Sequence, residues 1–168
     1  MFKKGSVILG ILFCVGLGVL LHFTYEWSGY NKIVGYFSTV NESTWEHLKL
    51  LFFPVTLFTA GEWVFKKRRQ PEFLLARTIS LISGMLWIVS AFYTISGIIG
   101  KPDITAVNIG IFVLGVILTF VLTEVIEKSI FNAPRYSNII ALIVMLLFVI
   151  LFVVWTYNPP AIGLFKAP

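Results

Sequence analysis

The sequence predicts an all-α fold: a polytopic integral membrane protein built as a five-transmembrane-helix bundle. Three observations carry that expectation. Of 168 residues, 58% are hydrophobic and only 12% charged, whereas a soluble domain is about a quarter charged. The apolar residues gather into five runs, near 5–26, 44–65, 73–99, 104–126 and 137–157, each close to the roughly 20 residues a helix needs to cross a hydrocarbon core about 30 Å thick. These runs are continuous and lack the alternation of a transmembrane barrel. The connections are short, so 1–168 reads as a single transmembrane helical domain.

The first span opens like a signal peptide, with Lys3 and Lys4 before an apolar run. The sequence His22-Phe23-Thr24-Tyr25-Glu26-Trp27 that follows offers no small-x-small cleavage site, so the span is expected to be retained. Within it Gly10, Cys14, Gly18, His22 and Glu26 recur every four residues and share one helix face. Small residues on such a face let a neighbouring helix approach closely. Cys14 is the only cysteine, so no intramolecular disulfide can form, and Phe13 before it is too large for a lipoprotein site.

The second span follows Ser38-Thr39-Val40-Asn41-Glu42-Ser43-Thr44-Trp45-Glu46-His47-Leu48-Lys49. Here Thr39-x-x-Glu42 and Ser43-x-x-Glu46 both fit a capping box. In the third span Ala76, Ser80, Ser83, Trp87, Ser90, Thr94 and Gly97 follow the 4-3 spacing of a packed seam, which predicts a central helix. On the fourth span the notable polar residue is Glu124 near its end. The fifth is bracketed by Tyr136, Trp155 and Tyr157 and carries no charged residue from Tyr136 to Phe165, as expected of a lipid-facing wall with aromatic anchors. Pro159-Pro160 stops that helix, and the tail 161–168 is expected to fold back on the outer surface.

A net charge of +5 suggests a nucleic-acid partner only until its placement is considered. Four of the thirteen basic residues form the run Lys66-Lys67-Arg68-Arg69 between two spans, and no basic face interleaved with aromatics accompanies it. The expected partners are therefore membrane lipids and no nucleic acid; a homo-oligomer or a partner subunit stays open. With that run cytoplasmic, Lys3, Lys4, Arg77, Lys128 and Arg135 fall on the same side, nine basic residues in all. Lys32, Lys49, Lys101 and Lys166 fall on the other. The asymmetry predicts a cytoplasmic N-terminus and an external C-terminus in the cell membrane.

Ionisable residues at membrane depth mark functional sites or buried ion pairs. On the cytoplasmic side Glu62, Arg77 and Glu124 each lie about a turn inside a helix end and are expected to form structural ion pairs, Arg77 with one carboxylate or each glutamate with a lysine four residues on. On the outer side His22, Glu26, Asn41, Glu42, Glu46 and His47 make the candidate ligand-binding cluster. The first span brings His22 and Glu26 to the depth at which the second begins with Glu46 and His47, and the expected arrangement puts Glu46 nearest His22. His22, Glu26, Glu46 and His47 would suit a divalent metal with mixed nitrogen and oxygen ligands. There is no H-E-x-x-H, and two histidines exclude a three-histidine zinc site.

Three functions remain open on these residues. One is a binding or transport-related protein holding a cation or a polar head group. Another is a membrane-embedded, metal-dependent enzyme acting on a lipid or amphipathic substrate, with Glu46 or Glu26 as general base and His47 or His22 as acid or ligand. The third is a structural or regulatory subunit of a membrane complex. No phosphate loop, G-x-S-x-G or paired C-x-x-C occurs. Asn41-Glu42-Ser43 matches the N-glycosylation sequon, a tripeptide common by chance.

The stretch Asn41-Glu42-Ser43-x-Trp45-Glu46-His47-x-Lys49 followed by Leu51-Phe52-Phe53-Pro54 resembles the hallmark of a family of small bacterial multi-pass membrane proteins of unknown function. Tyr25-Glu26-Trp27-Ser28-Gly29 and Tyr157-Asn158-Pro159-Pro160 with Leu164-Phe165 are similar to its flanking motifs. The resemblance implies a bacterial cytoplasmic membrane protein and supplies no activity.

Overall fold

The computed structural model of the protein describes residues 4–65, 70–100, 104–130, 132–134 and 136–167. Lys3, Lys66, Lys67, Arg68, Arg69, Lys101 and Arg135, which enter the orientation count, lie outside the described residues. All regular structure among the described residues is helical: α1 (Lys4–Trp27), α2 (Lys32–Gly35), α3 (Thr44–Phe65), α4 (Pro71–Ile99), α5 (Thr105–Ser129), α6 (Tyr136–Tyr157) and a 3-10 turn at Gly163–Phe165. Five of them, α1 and α3 to α6, are long and apolar enough to cross a membrane, which fits a multi-pass membrane protein.

Helix α4 is central, packed along α5 and also against α6 and α3, while α1 lies on α3 and α5. The shared core is built from Leu51, Phe52, Val55, Leu81, Val116, Phe120 and Phe152. Outward, α6 presents Ile139, Ile143, Leu146 and Ile150, all exposed, an apolar face suited to hydrocarbon. Pro71 in the first turn of α4 and Gly100 beyond its last, at φ 70°, set the limits of that helix.

Only the first half of the seam read on α4 is interior. Ala76 and Ser80 are fully buried, but Ser83, Trp87, Ser90 and Thr94 turn toward the surface. The interior line continues instead through Leu81, Gly84, Met85, Ile88 and Ala91. Ser83 donates to the Ile79 carbonyl of its own helix, so its hydroxyl is satisfied without a neighbouring helix. At Gly84 the backbone meets Thr119 and the Gly115 carbonyl of α5, a contact that a side chain would obstruct.

The small-residue face of α1 does pack. Gly10 rests on the Phe120 ring, Cys14 is fully buried, and Gly18 lies against Phe112 and the Leu50 carbonyl. That carbonyl has a local cause. Pro54 stands inside α3, and having no N–H it cannot bond the carbonyl four residues back, which is Leu50. That oxygen faces Gly18 of α1.

At the other end of the bundle core Arg77 Nη2 donates to Glu62 Oε2 at 2.8 Å, with both side chains 2% exposed. Ser6 Oγ donates to the other Glu62 oxygen at 2.5 Å, and the guanidinium lies 4.3 Å from the Phe120 ring centre. Glu124 is buried in α5 near its C-terminal end. The C-terminal tail returns to the bundle: Phe165 is buried beside Trp45 and Trp155, with ring centres 4.9 Å and 5.4 Å away.

Candidate metal centre

The connection between α1 and α3 builds the site. A Schellman motif ends α1: Gly29 N–H bonds the Glu26 carbonyl and Tyr30 N–H the Tyr25 carbonyl, with φ 69° at Gly29 and 62° at Tyr30. The chain turns back, and Asn31 caps the short α2 by accepting from Ile33 N–H at 2.9 Å. After α2 it dips alongside the last turns of α1. Ser38 is fully buried there, with its hydroxyl donating to the Leu21 carbonyl and accepting from Tyr25 N–H at 3.0 Å. The oxygen thus sits between a carbonyl and the amide four residues on, the pair that an α-helix normally joins directly. Thr39 Oγ1 donates to the His22 carbonyl at 3.1 Å. These bonds place Val40 to Glu42 beside His22.

The capping chemistry at α3 is shared among several residues. Asn41 Oδ1 accepts from Ser43 N–H at 2.9 Å, and Ser43 Oγ accepts from Glu46 N–H at 3.4 Å. The Glu46 carboxylate does not close the box. It accepts from Val40 N–H at 2.9 Å and pairs with Lys49 Nζ at 2.6 Å, both side chains being buried. Lys49 gives its other two donors to the Gly35 carbonyl at 2.8 Å and Thr156 Oγ1 at 3.1 Å. All three ammonium donors are satisfied, and one side chain ties α3 to α2 and α6.

Glu46 is therefore not the carboxylate nearest His22, contrary to the expected arrangement. Glu42 takes that place: its Oε2 lies 3.7 Å from His22 Nε2 and 3.4 Å from His47 Nε2. The imidazoles are 5.3 Å apart, centre to centre. One donor atom from each of His22, Glu42 and His47 lies within 4.8 Å of the others. Both histidines are half-buried and Glu42 is exposed. Glu26, one turn beyond His22, is exposed and lines the same cleft, of about 360 Å3, with His22, Glu42 and Asn41.

His47 Nδ1 lies 2.9 Å from the Ser43 carbonyl. A carbonyl only accepts, so Nδ1 carries a hydrogen and Nε2 is the ring atom turned toward Glu42. A cation between Nε2 and the carboxylate would take a lone pair from each. Ligands about 2.1 Å from a tetrahedral ion lie about 3.4 Å apart, close to the two separations from Glu42. A backbone carbonyl fixing the far nitrogen of a ligand histidine is also the usual outer-shell support of a metal site.

The fold and this cluster describe a multi-span helical protein with a histidine–carboxylate site at one end of its bundle. The chain belongs to a family of unknown function (DUF6512), whose model matches residues 2–168. No curated protein and no solved structure matches it.

Two contributors escape sequence reasoning. Ser38 reads as one polar residue in a polar stretch, and nothing marks it as a partner of the α1 backbone. Lys49 does leave a signal, since a lysine three residues after Glu46 within an apolar helix is a candidate buried pair.

Proposed function

We propose that the protein binds a divalent cation of the zinc class through His22, Glu42 and His47, at the outer face of the cytoplasmic membrane, in a binding or transport-related role. The observation that carries this is the convergence of three donor atoms, with Glu42 Oε2 3.4 Å from His47 Nε2 and 3.7 Å from His22 Nε2. Two imidazoles and one carboxylate form a donor set that zinc takes readily. The placement at the outer face follows from the excess of Lys and Arg on the opposite side of the sequence.

Elemental analysis and zinc titration of the purified protein test this reading. Wild type is expected to hold about one zinc per chain. His47→Ala and Glu42→Gln should each lose more than the about 10–100-fold in affinity that removing an outer-shell partner costs. Folded wild type that carries no metal and takes up no zinc on titration would overturn the proposal and leave the cluster as a shared-proton contact.

A further inference from the structure

We infer that this centre is hydrolytic, with Glu26 as general base and an ester at head-group level as its substrate; the inference rests on the reading that His22, Glu42 and His47 hold a cation. Three protein donors leave a zinc-class ion at least one position without a protein ligand, the arrangement of catalytic rather than structural sites. His22 and Glu42 themselves line the cleft of about 360 Å3, so a molecule admitted to it would reach two of the three donors. The cleft lies where α1 ends and α3 begins, and its wall mixes Phe23, Tyr25 and Tyr30 with Thr39 and Asn41. An amphipathic molecule suits such a wall better than a bare ion does.

The structure selects the base. Sequence reasoning left Glu46 and Glu26 as alternatives, and Glu46 is buried with its carboxylate held by Lys49 and Val40 N–H. Glu26 stands four residues after His22, about 6 Å further along the same face of α1, and it is exposed within the cleft. In the proposed step Glu26 accepts a proton from a water held at the cation. The resulting hydroxide adds to the ester carbon or phosphorus, the bond to the leaving oxygen breaks, and that oxygen takes the proton from Glu26. One ester and one water give one acid and one alcohol.

Two chromogenic probes test the step on zinc-loaded protein in detergent: p-nitrophenyl butyrate for carboxylic esters and bis(p-nitrophenyl) phosphate for phosphate esters. Zinc-dependent release of p-nitrophenolate is expected from one of them. Glu26→Gln should keep its zinc and lose about 100-fold or more in kcat, with KM little changed. Zinc-loaded protein that hydrolyses neither probe faster than the zinc-free form overturns the hydrolytic assignment, as does a Glu26→Gln variant as fast as wild type. A Glu26→Gln variant that loses its zinc makes Glu26 a ligand and overturns its role as base. Wild type that binds no zinc fails at the cation reading instead.

Discussion

At the residue scale, two buried side chains set the position of the cluster without belonging to it. Ser38 joins the Leu21 carbonyl to the Tyr25 amide, and Glu42 follows four residues later. Ser38→Ala removes a fully buried hydroxyl that also accepts from the Thr24 hydroxyl, a change worth about 1–3 kcal/mol. Unfolding in detergent should show that loss, and zinc affinity should fall with it because Glu42 is no longer held beside His22. Lys49 raises a different question, since its pairing with Glu46 is wholly buried. Lys49→Met leaves an uncompensated carboxylate and is expected to destabilise by about 3–5 kcal/mol. The double variant Lys49→Met, Glu46→Leu should recover part of that loss, although Val40 N–H then loses its acceptor. A double variant less stable than the single one would show that the carboxylate is needed for more than its charge pair.

Among the elements, α1 carries both a close helix approach and part of the site. Gly18 and Gly16 make a controlled pair on it. A Cβ at Gly18 would stand 2.8 Å from the Leu50 carbonyl oxygen, a backbone atom, whereas one at Gly16 meets nothing within 4 Å. Gly18→Ala must therefore push α1 away from α3, and since His22 lies one turn on, it should weaken zinc binding as well as stability. Gly16→Ala should be neutral or slightly stabilising, alanine being about 1 kcal/mol the better helix former. Equal stability of the two variants in detergent unfolding would remove the close contact as a determinant. The small-residue face of α1 was legible in the sequence because its four-residue spacing matches helical geometry and its members meet α3 and α5. The α4 seam was legible only in part. Serine and threonine share small size with glycine and alanine but can bond their own backbone, so their spacing alone does not separate an interior line from an exposed one.

For the whole molecule, five spans follow from hydropathy and length. The approach of His22 to His47 follows from depth along neighbouring helices. The identity of the third member did not, because the 28–43 connection dips beside α1 through side-chain-to-backbone bonds that no periodicity encodes. Its orientation in the membrane is the remaining large-scale expectation, and it decides whether the cluster meets the cell exterior or the cytoplasm. The asymmetry of nine basic residues against four predicts an external α1–α3 connection. Lys32, in that connection, and Gln70, just before α4, are both exposed and fall on opposite sides of α3. In a Cys14→Ala background, Lys32→Cys should be labelled by a membrane-impermeant maleimide added to intact cells. Gln70→Cys should be labelled only after the membrane is opened. The opposite pattern would turn the cluster toward the cytoplasm, where an ester substrate would have to come from the inner leaflet.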